Sequence, residues 1–212
     1  MRPRWKHALL NALNSCTEPS AGFYSIATAH DGLPQVRTVV HRGFVNEGRS
    51  GRIDQREPES CALLFTTDAR SPKSREIAEN PHVQIAWYME QARTQVSQYL
   101  QFRISGCAYL VNANTTNAPP LESLKWHNER KRVYMSLSQG MKASFSAPAS
   151  GTEDMAAAVP EVDGIPERFA YTNSFSLVIV VPTAVDVLDL HTNVRTIHVC
   201  ESGIWTMRHI NP

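Results

Sequence analysis

Two stretches of strict alternation constrain this chain more than any other feature of it. Val83, Ile85 and Trp87 alternate with His82, Gln84 and Ala86, and Leu100, Phe102 and Ile104 alternate with Gln101, Arg103 and Ser105. A period of two places successive side chains on opposite faces of an extended backbone, so both stretches read as half-buried strands. Gly106, next in line, marks a bulge or the close approach of another backbone.

The rest of the chain supplies strands to pair with these two. Residues 23–29 read as a strand, Asp31-Gly32 as a hairpin turn and 35–44 as the returning strand. The polar stretch 49–59 reads as a loop, and 61–67, apolar and ending in Thr66-Thr67, as a buried strand. Ser71-Pro72 opens a helix, with serine at the N-cap and proline at N1, and Asn80-Pro81 stops it. Trp5, Leu9, Leu10 and Leu13 fall at helical spacing, which predicts a packing helix over 4–14. A charged helical stretch covers about 121–137, and 147–168, rich in Pro, Ala, Gly and acids, predicts a long mobile loop. Strands at 175–181, 185–190, 195–199 and 204–209 close the chain as a meander.

About nine strands and three helices, mostly in hairpin connection, describe a mainly β fold: a closed or nearly closed antiparallel barrel with peripheral helices. At 212 residues the chain is expected to form a single domain, 1–212. A formal net charge of +1 gives no reason to expect a nucleic-acid partner. Cys16, Cys61, Cys107 and Cys200 are scattered, without zinc-ligand spacing or a disulfide framework, so no metal is expected and a reducing, cytoplasmic setting is. The short run Ala8-Leu9-Leu10 is too brief for a membrane span.

Chemistry gathers in two places. Arg37-Thr38-Val39-Val40-His41-Arg42 puts cations and a hydroxyl on a segment otherwise patterned as core, and a buried arginine needs a partner. Thr66-Thr67-Asp68 followed by Ser71-Pro72-Lys73-Ser74 brings hydroxyls, a lysine and the positive end of a helix to one place, as a phosphate monoester requires. No Gly-rich dinucleotide fingerprint or P-loop is present, so such a phosphate is left to side chains and helix N-termini.

These blocks, in order, resemble a known family. Pro34 to Phe44, Leu64-Phe65-Thr66-Thr67-Asp68, Ser71-Pro72-Lys73, Ile77 to Pro81, Gln101-Phe102-Arg103-Ile104-Ser105-Gly106 and the closing Trp205 to Pro212 are similar to successive blocks of the pyridoxamine 5'-phosphate oxidase-like proteins. The resemblance implies an FMN-binding split β-barrel. It assigns Arg37 and Lys73 to the FMN phosphate, with hydroxyls from Thr67 and Ser71 and with Thr66 beside them. It lays the backbone of Thr38, Val39 and Val40 along the isoalloxazine ring and sets Gln101 at the flavin's polar edge. Arg195 looks like the family's late arginine, which reaches the cofactor from a second subunit, so the resemblance implies a homodimer with FMN at its interface.

The departures bear on function. Pro72 stands where the oxidases carry an arginine beside the lysine, and around His191 to Arg195 the Arg-x-His element that grips a phosphorylated substrate is absent. The insertion at 91–98 and the block 134–151 resemble a cyanobacterial and fungal branch whose substrates the sequence does not name. The expected activity is that of a flavin-dependent oxidoreductase. A non-catalytic flavin-binding or sensor protein, and a true pyridoxamine 5'-phosphate oxidase with an altered substrate clamp, stand as alternatives. His41 and His198 are read as core or surface residues, Trp87, Tyr88 and Trp126 as packing, and Arg130-Lys131-Arg132 as a solvated helix face.

Overall fold

A computed structural model describes residues 3–16, 18–45, 60–92, 97–113, 126–148 and 173–212. Helix α1 (Arg4–Ser15) and one 3-10 turn (Pro19–Gly22) lead into a hairpin of β1 (Phe23–His30) and β2 (Leu33–Val40). Asp31 and Gly32, with φ of 50° and 76°, supply the two left-handed residues its tight turn needs. There follow β3 (Leu63–Asp68), α2 (Pro72–Glu79), β4 (His82–Ala92), β5 (Ser97–Val111), α3 (Trp126–Met135), α4 (Gln139–Ser144), β6 (Phe175–Asp189), β7 (Val194–Glu201) and β8 (Ile204–Ile210).

All pairings are antiparallel, in the order β2-β1-β4-β5-β6-β7-β8, with β3 also on β6. Strand β6 is divided between two partners: Phe175 to Val180 pair with β3, whereas Ala184 to Asp189 pair with β7. Past β2 the chain meets β3 through the Phe44–Leu63 bridge and through bonds from Arg42 N–H to the Leu64 carbonyl (2.8 Å) and from Leu64 N–H to the Gly43 carbonyl (2.9 Å). Six strands thus close a ring, from which β7 and β8 split away. The fold is mainly β, a barrel with peripheral helices as the alternation and turn pattern predict, and it is split as the family resemblance implies.

Inside the ring, Ile26, Ile85, Phe102, Ile104, Val178, Val180 and Val185 form the core, and α1 plugs it with Trp5, Leu9 and Ala12. Each such large side chain contributes about 1.5–3 kcal/mol by leaving water. A second cluster lies on the other face of β3 and β6, where Leu64, Phe175, Leu177 and Ile179 pack against Val133, Tyr134, Leu137 and Phe145.

Several expectations need correction. The two strands expected at 175–181 and 185–190 are one strand, because Pro182 falls where β5 and β6 slip register and a missing N–H costs little. Phe175 to Val180, read from sequence only as a strand of the closing meander, is buried on both faces. Of Arg130-Lys131-Arg132, Lys131 is exposed as expected, but Arg130 is 2% exposed, its guanidinium donating to the Phe175 carbonyl (2.9 and 3.2 Å) and lying over the Phe175 ring. Arg132 pairs with Glu129 at 2.5 Å. The short helix α4 went unforeseen. The loop read at 49–59, residues 121–125 of the charged helix and most of the stretch 147–168 lie outside the described residues.

His41 belongs to the barrel interior, between the rings of Trp87 (4.9 Å between centroids), Phe44 (5.2 Å) and Tyr24 (6.2 Å). The residue is half-buried, and its Nδ1 is buried without a hydrogen-bond partner among the described residues. Burial, and next the charges of Lys6 and Arg42, push its pKa down to about 3. Gly106 sits at the register slip, with its own Cα pressed against β6.

Two outcomes are expected. A Cβ on Gly106 would lie 2.5 Å from the Val181 carbonyl oxygen and 3.1 Å from the Pro182 Cα, both backbone atoms. Gly106→Ala should therefore lower unfolding free energy by about 1–3 kcal/mol in denaturant titration. For His41, the folded-state pKa lies below the unfolded value, so its contribution is full above about pH 6.5 and is lost as pH falls from there toward 3. His41→Gln, which takes up no proton, should flatten stability against pH over that window.

Candidate functional site

The site begins where β3 ends. Asp68 Oδ1 accepts the Arg70 N–H (2.8 Å), its carboxylate takes the Arg70 guanidinium (Nη2 to Oδ2 at 2.6 Å), and its carbonyl accepts the Ser71 N–H (3.1 Å). This turn swings α2 back so that its N-terminus faces the end of β3. Ser71 is the N-cap and Pro72 the first helical residue, as expected. The Ser71 hydroxyl makes no capping bond, however, because it is shared with Thr67 Oγ1 (3.1 Å) and Ser74 Oγ (3.2 Å). Lys73 Nζ joins this chain of hydroxyls, donating to Thr67 Oγ1 at 2.6 Å. Burial, and next the Arg37 charge, lower the Lys73 pKa against the opposing pull of Asp68 and Glu76.

Arg37 faces Lys73 across a cleft. On β2 it stands opposite Ile26, so it points to the barrel's inner side near its open end. The partner that a buried arginine needs is Glu76, whose side chain is 6% exposed and whose Oε2 accepts from Arg37 Nη2 at 2.5 Å. Thr28 Oγ1 donates to the same oxygen (2.5 Å) and accepts from Arg37 Nη1, which also donates to the Gln35 carbonyl (3.1 Å). Burial alone would raise the Glu76 pKa, but the bonds from Thr28 and Arg37 and the Arg37 charge outweigh it and hold the carboxyl below its ordinary value.

The cleft holds about 430 Å³, within the range of small-ligand sites. Thr66, Thr67 and Asp68 form one wall, Ser71, Pro72 and Lys73 another, and Met141, Ser144 and Phe145 of α4 lean over it. Opposite Thr67 on β6 the Ser176 hydroxyl is buried without a partner. A lysine, a cluster of hydroxyls and a helix N-terminus suit a phosphate monoester, so the donor set fits the phosphate end of FMN. Among the described residues no group of three His, Cys, Asp or Glu side chains could hold a metal ion, and no helix is long and apolar enough to cross a membrane.

Of the residues singled out in the sequence, Arg37, Thr66, Thr67, Ser71 and Lys73 converge on this cleft. Thr38, Val39 and Val40 continue β2 from Arg37, with Thr38 exposed, Val39 buried and Val40 half-buried. Strand β2 ends the sheet order, so beyond β1 its backbone has no strand partner among the described residues. Gln101 and Arg195 do not line the cleft. They share the outer face of the sheet, on either side of Leu188, about 10 Å apart. There Asp186 holds both Arg195 (Nη2 to Oδ2, 2.8 Å; Nε to Oδ1, 3.0 Å) and Arg103 (2.8 Å).

Sequence reasoning missed Glu76, Thr28 and the α4 residues. Glu76 was open to discovery, because three residues after Lys73 on a helix is the same face. Thr28 and α4 carried no such signal, being joined to the site only by tertiary packing. Trp87, fully buried with its Nε1 donating to the Ala21 carbonyl (2.8 Å), is a packing residue as expected, and half-buried Trp126 packs on the second cluster. Tyr88 departs from the packing expectation, since it is exposed on the outer face and stacked on Tyr99. His198 is buried, its Nε2 3.2 Å from Thr196 Oγ1.

Comparison with known proteins bears on the fold and the family. The chain is 27% identical to pyridoxine/pyridoxamine 5'-phosphate oxidase 2 of Arabidopsis thaliana, over 98% of this chain and 96% of that protein. Its fold is similar to that of a pyridoxamine 5'-phosphate oxidase-related, FMN-binding protein of Nostoc punctiforme, with a TM-score of 0.77 and 23% identity over the whole of both chains. It is also similar to PhzG of Burkholderia lata, solved with tetrahydrophenazine-1-carboxylic acid, with a TM-score of 0.65 and 18% identity over 99% of this chain and 89% of that one. The family described as "Pyridoxamine 5'-phosphate oxidase, FMN-binding domain" matches residues 2–112, which carry α1, α2, the strands β1 to β5 and every cleft residue outside α4. With the match spanning more than half of the sequence and the split barrel continuing beyond it, the chain belongs to the FMN-binding pyridoxamine 5'-phosphate oxidase family.

Proposed function

We propose that this protein holds FMN with the phosphate in the Lys73 cleft and works as a flavin-dependent oxidoreductase. One observation carries the reading. Among the described residues, each carboxylate at the cleft is already taken by an arginine, Glu76 by Arg37 and Asp68 by Arg70, while Lys73 donates to the Thr67 hydroxyl alone. An ammonium whose charge burial disfavours gains most from an incoming anion. Thr67 and Ser71 then serve as hydroxyl partners to the phosphate oxygens, and Arg37 offers its remaining N–H groups from the facing wall.

Bound here, the isoalloxazine supplies the two-electron chemistry that the side chains lack. The edge of β2 at Thr38 to Val40, without a strand partner beyond β1 among the described residues, would offer backbone donors and acceptors to the ring. Gln101 can donate as well as accept. Its separation from the phosphate cleft, together with that of Arg195, supports a site completed by a second copy of the chain. The sheet's outer face suits that contact, since the row Val36, Ala27, Gln84, Ser105, Ala184 and Val199 is mostly small or apolar. A pyridoxine-phosphate substrate is the second reading, favoured by the near full-length similarity to the Arabidopsis protein. Oxygen consumption with pyridoxine or pyridoxamine 5'-phosphate decides it.

Purified protein should carry a flavin absorption spectrum, and a colourless protein that takes up no FMN would sink the proposal. Lys73→Ala removes a charge-assisted bond worth about 1.5–3 kcal/mol, so FMN affinity should fall roughly tenfold or more in fluorescence titration of the apoprotein. The FMN-bound protein should sediment as a dimer, and Arg195→Ala should blunt the rise in melting temperature with free FMN. A 24 kDa monomer with tightly bound flavin would rule out the shared site.

A further inference from the structure

We propose that Glu76 is a positioning residue that fixes the Arg37 guanidinium and cancels its charge, so that Arg37 recognises an anion by direction while Lys73 attracts it. The proposal rests on the reading of the cleft as the FMN phosphate site and assigns a task to a residue outside that binding set.

A guanidinium carries five N–H donors. Arg37 spends three of them, on Thr28, the Gln35 carbonyl and Glu76, which leaves two on a side chain lining the cleft. Glu76 is anchored independently by the Thr28 hydroxyl, so the arginine is held at both terminal nitrogens rather than at one. Lys73 and Glu76 stand three residues apart on α2, and the helix therefore delivers the attracting charge and the brace for the facing arginine from a single face. With Arg37 neutralised by Glu76 and Asp68 by Arg70, the described residues leave one net positive charge at the cleft, on Lys73. A fully cationic pair would bind any small anion, whereas one charge plus two aimed donors favours a ligand whose oxygens fit the donors.

Two substitutions separate charge from geometry. Glu76→Gln keeps the side chain's length and an acceptor oxygen but releases the Arg37 charge. The ratio of FMN to riboflavin affinity should rise roughly three- to tenfold at low salt and fall more steeply as salt is added. Glu76→Asp keeps the charge but falls one methylene short of Thr28 and Arg37, and should lower the ratio by a similar factor. A role in folding alone would shift both affinities together, so an unchanged ratio in both variants overturns the proposal. If Glu76→Gln does not fold, Glu76→Asp decides: a lowered ratio supports the proposal and an unchanged one overturns it.

Thermal stabilisation by inorganic phosphate, measured against chloride at equal ionic strength, separates this proposal from the flavin reading. Wild-type protein that binds neither flavin defeats the FMN assignment. Phosphate stabilisation that is larger in Glu76→Gln still upholds the role of Glu76, and phosphate stabilisation absent from both proteins overturns it.

Discussion

The fold depends on β6 having two buried faces and two sets of strand neighbours. Its first half is gripped by β3 and β5 and packed above and below by separate apolar clusters, and its second half exchanges β3 for β7. That exchange takes place at the register slip, where Gly106 lets β5 approach and Pro182 has no N–H to leave unpaired. Because β3 is fixed along its whole length against the buried half of β6, its last residues, Thr66 to Asp68, arrive at the barrel mouth in a set orientation. The turn that starts α2 is built on Asp68, so the position of Lys73 follows from the position of β6.

Much of this was legible from residue pattern. Alternation marks β4 and β5 because one face of each meets the barrel core and the other does not, and Ser71-Pro72 marks α2 because helix starts have local chemistry. The undivided β6 was not legible, since a proline inside an apolar run reads as a break unless the bulge opposite it is known. The burial of Phe175 to Val180 was hidden for a related reason: the elements covering its second face, α3 and α4, lie far away in sequence. Arg130 misleads in the same way. Flanked by Lys131 and Arg132 it looks solvated, yet the carbonyl and ring of Phe175 satisfy it inside. At the cleft, the lining residues of β2, β3 and α2 had signatures, whereas those of α4 had none, and Glu76 and Thr28, which hold Arg37, had none beyond helical spacing.

The cleft illustrates how a chain of near-zero net charge can concentrate positive charge locally. Neutrality overall is compatible with local excess when acids are placed on arginines and a lysine is left with a hydroxyl. Asp186, clamped between Arg103 and Arg195 on the outer face, repeats the device with one carboxylate serving two guanidinium groups. In both places a carboxylate governs where the guanidinium points, which matters because a planar fork is useful only when aimed.

The second cluster also has a dynamic consequence. Helices α3 and α4 are fastened to the barrel through Phe175, Leu177 and Ile179, none of which belongs to the inner core. Their backbone amides can therefore open to solvent by losing one apolar contact layer and the Arg130 bonds to the Phe175 carbonyl while the ring of strands stays intact. Slow amide exchange would then sort the molecule into two tiers, with β5 and β6 governed by global unfolding and α3 and α4 by a smaller, local free energy.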